Sequence, residues 1–384
     1  KTVKDLNLDL MKVFSKYWQG HVSVNTVYNG EPSVFINENN GKYYIVATTD
    51  KYKNLLGAEV ISINNIKMED VIDRLEAYAI GENESFRNLT KQSFLNYYEI
   101  LKKENVLTEE QNIYELKIGD KIIKLDLPFE KSKEFIVSKL KINGRKTELI
   151  NVKQKNFNKE KYNIIKTLKL SVDKNKLYYI ETKDDNLILR YNSCTENENY
   201  KIEKFTKDVC DKLDKNKFSN IIIDLRYNLG GSSFHIFNIF GKMMAYQVAN
   251  PDTKIKVLIS DKTYSAGGDC ALLFVKNFHN VEVIGKDSGF PISTTAGDVN
   301  GIYTKDTNIG ISYCTTVFRQ HYENVDSFLF NYKNFDFEKN TMKPDFYASQ
   351  SFADYMIGND PAMNYALRSE GNTSLAEKIK GVFK

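Results

Sequence analysis

Ser265 is the residue in this chain best placed to act as a nucleophile. It lies in TYSAGGDCALLF, 263–274, between an expected strand and the first turn of an apolar helix. A hydroxyl there lies in the positive field of a helix N-terminus, and the N–H of Ala266 is available to a neighbouring oxyanion. Serine is also a favoured N-cap, so helix capping is the structural alternative. The GxSxG elbow of α/β-hydrolases is absent, because Thr263 holds its first glycine position. His21, in QGHVSV at 19–24, follows a helix end, and histidine is the usual base for activating a serine. The stretch IIIDLRYNLGG, 221–231, is an apolar strand that runs into a polar turn and the pair Gly230–Gly231. Such a turn is either a tight strand-to-helix connection or a place where backbone N–H groups face a ligand at the carboxyl end of a strand. In EKNTMKPDF, 338–346, Glu338 precedes a Pro-Asp turn and could orient an imidazole; Glu323, closer to Ser265 in sequence but without the Pro-Asp context, is the alternative. His235, His279 and His321 have no comparable setting. No HExxH or close histidine pair suggests a metal, and no cofactor is implied.

These groups need a frame that brings distant segments together. Leu6, Leu10, Val13, Phe14 and Tyr17 recur at helical spacing, which predicts a helix over about 3–18 closed at Gly20. Alternating residues after it predict strands, with turns at Asn29-Gly30 and Asn39-Asn40-Gly41. The string LLGAEVISINNIKMEDVIDRL, 55–75, predicts strand, Asn64-Asn65 turn, strand and helix. In the charged stretch 76–165, helical character is expected at 94–101 and strand character at 122–127. From 176 onward strands are expected at 177–180, 187–191, 221–225, 256–259 and 281–284, with helices near 200–215, 231–246 and 266–278 between them. That alternation is the pattern of a layered α/β core. A hairpin near 302–318 and a last helix opening at Pro361 complete the reading.

A length of 384 residues gives about two to three domains. The expected division is an N-terminal segment carrying His21 at 1–50, a small module at 51–130, a connection at 131–175 and the core at 176–384. With 54 Lys+Arg against 50 Asp+Glu the net charge is +4 and no long basic block occurs, which disfavours nucleic acid as a partner. Hydrophobic content of 41% and 12% aromatics exclude a wholly disordered chain, and no apolar run is long enough to span a membrane. The four cysteines have no CxxC spacing and are too few for a disulfide framework.

An early His, Asp-Leu-Arg-x-Asn-x-Gly-Gly, Thr-x-Ser-Ala-Gly-Gly, then Glu with Pro-Asp six residues on occur here in that order. Together they resemble the tail-specific or C-terminal processing serine peptidases, clearly over about 176–367 and more faintly before. The resemblance implies an α/β fold (α+β overall) with a layered crotonase/ClpP-like peptidase core, preceded by a helical/β segment and a PDZ-like module suggested by 55–75. It implies Ser265 as nucleophile and an oxyanion hole from Ala266 with Gly230 or Gly231. In the processing peptidases the base is a Lys twenty-five residues after the Ser, but position 290 here is Phe; Lys286 is the nearest substitute. The tricorn-like branch uses an upstream His and a Glu before the Pro-Asp, which matches His21 and Glu338. A polypeptide substrate and export from the cell are the further expectations, with a non-catalytic binding protein and an esterase as the competing readings. No Gly-Leu-Gly-Phe loop precedes the PDZ-like string, so recognition of free C-termini is not implied.

Overall fold

The computed structural model describes residues 2–24, 31–130, 139–143, 146–150, 162–164, 176–307, 309–319 and 333–368. Helix α1 (Val3–Ser15) starts at a capping box, in which Thr2 accepts from the Asp5 N–H and the Asp5 carboxylate accepts from the Thr2 N–H. It ends three residues earlier than its apolar periodicity predicts. Two turns carry the chain on, and Trp18 then takes a left-handed conformation at φ 51°. Strand β1 (Ser23–Val24) follows, and then β2 (Val34–Asn39) and β3 (Lys42–Thr49) form a hairpin. Its turn residues Asn40 and Gly41 have φ of 52° and 78°, the positive values a two-residue primed turn requires. Asn64 and Asn65 repeat the device, at 50° and 62°, after β4 (Glu59–Ile63).

Helices α2 (Met68–Leu75) and α3 (Glu84–Ser93) come next, and then the antiparallel pair β5 (Ile113–Ile118) and β6 (Lys121–Asp126). In the sheet, β3 to β6 lie in chain order, with β2 and residues 162–164 on β3. Leu8 and Met11 of α1 share one buried cluster with Ile36, Ile45, Val60, Val71, Leu75 and Leu116. The segments expected at 1–50 and 51–130 therefore pack as a single body around a common core. Of the connection expected at 131–175 only a hairpin (Lys139–Asn143 with Lys146–Ile150) and residues 162–164 are described.

The second body is the predicted layered α/β core. Its sheet has β7 (Tyr178–Lys183) antiparallel at one edge, then β8 (Asn186–Tyr191), β9 (Asn220–Asp224), β10 (Lys254–Ile259) and β11 (Val281–Gly285) in parallel. Residues 346–347 add a short parallel strand to β11. Helices α4 (Ile202–Lys215), α5 (Phe237–Ala249) and α6 (Ala266–Asn277) make the crossovers. Side chains alternate along each strand. Ile221, Ile223, Val257, Ile259 and Val283 pack toward those helices, whereas Ile188, Ile222, Leu258 and Ile284 pack toward the short helix Pro361–Ala366. Because both faces are covered, the central strands are apolar throughout rather than alternating.

A hairpin of β12 (Thr294–Tyr303) and β13 (Gly310–Arg319) joins the two bodies. Strand β1 pairs with β13, Ser23 opposite Ser312 and Val24 opposite Ile311, and Ile309 is buried in the N-terminal core. Among the described residues no helix is long and apolar enough to cross a membrane.

Candidate active site

The DLRYNLGG loop and the TYSAGG turn leave neighbouring strands β9 and β10 and are stitched together. Thr263 donates its hydroxyl to the Leu225 carbonyl (2.9 Å), the Tyr264 N–H donates to the Asn228 carbonyl (3.1 Å), and the Ser260 hydroxyl donates to the Arg226 carbonyl (2.5 Å). Beneath them Asp224 is fully buried and receives Arg190 Nη1 at 2.6 Å and Arg226 Nη2 at 2.7 Å; Arg226 also grips Asp360. Burial alone would raise the Asp224 pKa, but the two guanidinium groups outweigh it and hold it below the usual carboxylate value. Removing both arginines would leave an uncompensated buried carboxylate, at a cost of about 3–5 kcal/mol, and removing one would leave it half-paired. The Asp-Leu-Arg motif thus anchors the loop.

Asn228, also fully buried, shapes the glycine pair. Its side-chain amide donates to the Tyr191 carbonyl, and its Oδ1 accepts the Gly230 N–H at 3.0 Å. Gly230 and Gly231 have φ of 114° and 133°. A Cβ on Gly230 would come within 2.7 Å of the Ser265 Cβ, and one on Gly231 within 2.4 Å of the Cys194 carbonyl oxygen. Only glycine meets both the backbone and the packing demand. The Gly230 N–H is engaged by Asn228, whereas among the described residues the Gly231 and Ala266 N–H groups make no protein hydrogen bond.

Ser265 does not cap its helix. Its side chain makes no capping hydrogen bond, and its backbone sits at φ 51°, ψ −134°, an unfavourable region for a residue with a side chain. Such a conformation costs about 1–3 kcal/mol and persists only where the surroundings enforce it. It turns the hydroxyl toward His21, whose Nε2 lies 2.9 Å from Ser265 Oγ. The histidine is held from the N-terminal side: its carbonyl accepts from Ser312 Oγ on β13 (2.9 Å), and its N–H donates to Gln19 Oε1 (2.8 Å). Burial pushes the imidazole pKa down to about 4, so it is neutral, and able to accept a proton, at neutral pH.

The other ring nitrogen, Nδ1, has two partners, Tyr264 Oη at 3.0 Å and Gln19 Oε1 at 3.3 Å. Tyr264 Oη lies in turn 3.0 and 2.9 Å from the two carboxylate oxygens of Glu82. Glu82 occupies the turn before α3, between Gly81 at φ 138° and the helix cap Asn83, whose side chain accepts from the Phe86 N–H. Burial raises its pKa, against hydrogen bonds from Tyr264, the Gly20 N–H, its own N–H and the Gln19 side chain.

The structure does not bring Glu338, the acid expected to orient the imidazole, to His21. Its side chain is exposed, and neither nitrogen of His21 hydrogen-bonds to it. The Pro-Asp motif after it has another use: Asp345 exchanges hydrogen bonds with Val283 (2.7 and 2.9 Å), docking the edge strand 346–347 on β11. Glu323 lies outside the described residues. Lys286 is 3.9 Å from Asp261 and, with Arg226 and Tyr355, lines a separate cavity of about 420 Å³. Phe290 is fully buried, and it packs so closely on α6 that a Cβ on Gly268 would fall 2.0 Å from its ring. Among the described residues no group of three or more His, Cys, Asp or Glu could hold a metal ion.

Set against solved structures, the chain is similar to mature CPAF complexed with lactacystin, at a TM-score of 0.59 and 11% identity over 100% of this chain and 88% of that one. It is also similar to mature CPAF at 0.57 and 10%, over 95% and 86%. The chain has the CPAF fold. The photosystem II D1 C-terminal processing protease gives a TM-score of 0.37 at 11% identity, over 93% of this chain and 86% of that one. No family model matches the sequence, and no curated protein matches it. The fold likeness thus spans the N-terminal body as well as the α/β core, although nine residues in ten differ.

Proposed function

We propose that this protein is a serine peptidase that cleaves polypeptides through an acyl-enzyme on Ser265. The observation that carries the reading is the 2.9 Å hydrogen bond between Ser265 Oγ and His21 Nε2, made by residues 244 positions apart in the sequence. His21 removes the Ser265 hydroxyl proton as Oγ attacks the scissile carbonyl carbon. The oxyanion that forms is received by the N–H groups of Ala266 and Gly231. His21 then gives its proton to the leaving amine, the C–N bond breaks, and the acyl-enzyme remains. A water molecule attacks next, losing its proton to His21, and the ester breaks as Ser265 regains a proton. Lys286 is given no part in this sequence, because it lines a separate cavity with Asp261 and neither Ser265 Oγ nor His21 hydrogen-bonds to it.

The test is cleavage of fluorescently labelled casein, with labelling by a serine-directed fluorophosphonate. The wild type, Ser265→Ala, His21→Ala and Lys286→Ala are compared, folding being checked by circular dichroism. Activity and labelling lost in the serine and histidine variants and retained in the lysine variant support the reading. A folded wild type that neither cleaves nor labels overturns it in favour of a binding protein. Ester cleavage without peptide cleavage would make the enzyme an esterase. Export from the cell is proposed on the resemblance alone, and the location of the tagged protein in fractionated source cells tests it.

A further inference from the structure

A neutral imidazole can deprotonate Ser265 only if Nε2 carries the lone pair, which requires the ring proton to sit on Nδ1. Something must hold it there. In this chain the nearer of the two partners of Nδ1 is Tyr264, the residue immediately before Ser265, so the strained turn that aims Ser265 also fixes the tyrosine. Its ring is stacked on Phe86 (3.7 Å between centroids, 10° between planes) and on the His21 ring (4.9 Å, 27°), and the residue is 4% exposed. The hydroxyl has a single proton, and it donates that proton toward the Glu82 carboxyl. Since Tyr264 Oη faces both Glu82 oxygens at 2.9–3.0 Å, the polarity of the chain is set. Tyr264 donates to Glu82, Tyr264 Oη accepts the Nδ1 proton, and Nε2 is left bare toward Ser265.

Two neighbours support this arm. Gln19 accepts from His21 with its Oε1 and hydrogen-bonds Glu82 with its side chain, so it spans the same two groups in parallel with the phenol. Gly20 donates its N–H to Glu82, and a Cβ on it would fall 2.3 Å from Tyr264 Oη. The residue between Gln19 and His21 is thus one that leaves room for the tyrosine.

We infer that Tyr264 and Glu82 form the orienting arm of the Ser265–His21 pair, Tyr264 acting as a positioning residue that carries the influence of Glu82 to Nδ1. This rests on the reading of Ser265 and His21 as nucleophile and base. As His21 takes up the serine proton, the imidazolium charge forms one hydroxyl group away from the Glu82 carboxylate, in surroundings largely shielded from water. No proton travels beyond His21. Burial, with Glu82 alongside, raises the Tyr264 pKa, and the phenol stays protonated throughout. Among the described residues the half-buried Cys314 thiol on β13 also acts on Tyr264, and burial pushes its pKa up to about 11, so it stays neutral in the working range.

The experiment combines steady-state kinetics at pH 7.5, the rate of fluorophosphonate labelling, and long-range ¹H–¹⁵N spectra of ¹⁵N-histidine protein, with His21 assigned from His21→Ala. The wild type should show the Nδ1–H tautomer at His21. Tyr264→Phe should lower kcat and the labelling rate about 10²-fold at nearly constant KM, and its His21 should become a tautomer mixture. Glu82→Gln, nearly isosteric, should lower both rates about 10–100-fold with folding intact, and it carries the test should Tyr264→Phe not fold. Glu338→Gln should stay within about twofold of wild type. Wild-type labelling and an unchanged tautomer in folded Tyr264→Phe, or in folded Glu82→Gln, overturn the arm while leaving the serine peptidase reading intact. A loss in Glu338→Gln matching that in Glu82→Gln overturns it too. Absence of Ser265 labelling in folded wild type would instead bring down the underlying reading.

Discussion

The α/β core and the N-terminal body contribute to the site in different ways. The core supplies Ser265, Ala266 and the glycine pair from two adjoining loops, each fixed by hydrogen bonds within the core and braced by the buried Asp224–arginine cluster. The N-terminal body supplies Gln19, His21 and Glu82 from the end of one helix and the start of another, about sixty positions apart in sequence. Ser265 and its strained backbone are thus local products of one motif, whereas the imidazole and its partners are assembled by tertiary packing. The two halves should respond differently to mutation.

Removing a reacting group comes first in magnitude and should not distinguish the halves. Ser265→Ala and His21→Ala are each expected to lower kcat by about 10⁶, read as casein cleavage against folded controls. Gly230→Ala attacks the core half, because the new Cβ would press on Ser265 at φ 114°. It should cost about 10²–10³ in kcat and about 1–3 kcal/mol of stability together, measured by labelling rate and denaturant midpoint. Asn228→Ala should lower stability by about 1–3 kcal/mol, since it strands the Tyr191 carbonyl and frees the Gly230 N–H, with activity falling about tenfold. If its activity fell without any stability loss, the view of the core half as rigid and locally built would fail.

The smallest expected effect belongs to the N-terminal half and is read in pH. Burial holds the folded His21 pKa near 4 against 6.5 for a free histidine, so between those values the unfolded chain binds more protons. Stability should therefore fall as pH falls through that window and level off below it. Glu82, with its raised pKa, acts in the opposite sense above its unfolded value. The informative measurement is thus the difference in Tm between wild type and His21→Gln from pH 7 to 4. That difference should change across the window, and a constant difference would show that His21 is not desolvated.

The sequence revealed what depends on short stretches of chain. Strands β8 to β11 are legible because burial on both faces makes them apolar throughout, and the helices because their apolar faces recur at helical spacing. Ser265, Gly230 and Gly231 stand out because each motif pairs a strand end with turn residues and a helix start. His21 stands out only in company with them. Glu82 does not, because in ENESF it reads as one more solvated acid; its burial follows from α3 docking beside Tyr264, which no spacing encodes. The one local trace is Gly81 followed by the cap Asn83, a tight entry that fixes where the intervening side chain must go. Glu338 misled because Pro-Asp is a real structural signal with a different purpose, the docking of an edge strand. That α1 and the β2–β3 hairpin close the same core as the segment after residue 50 is long-range packing that no local pattern encodes.

The hydrogen bond between Ser265 and His21 crosses the seam between the two bodies, and this ties chemistry to cohesion. A covalent adduct on Ser265 that also engages His21 is a clamp across the seam, and by mass action any ligand that binds only the joined form favours the joined form. Thermal melting of the acylated protein should accordingly become more cooperative, with both bodies unfolding together at a higher temperature than in the unmodified protein. In this chain the Ser265–His21 contact doubles as a fastener between the two bodies.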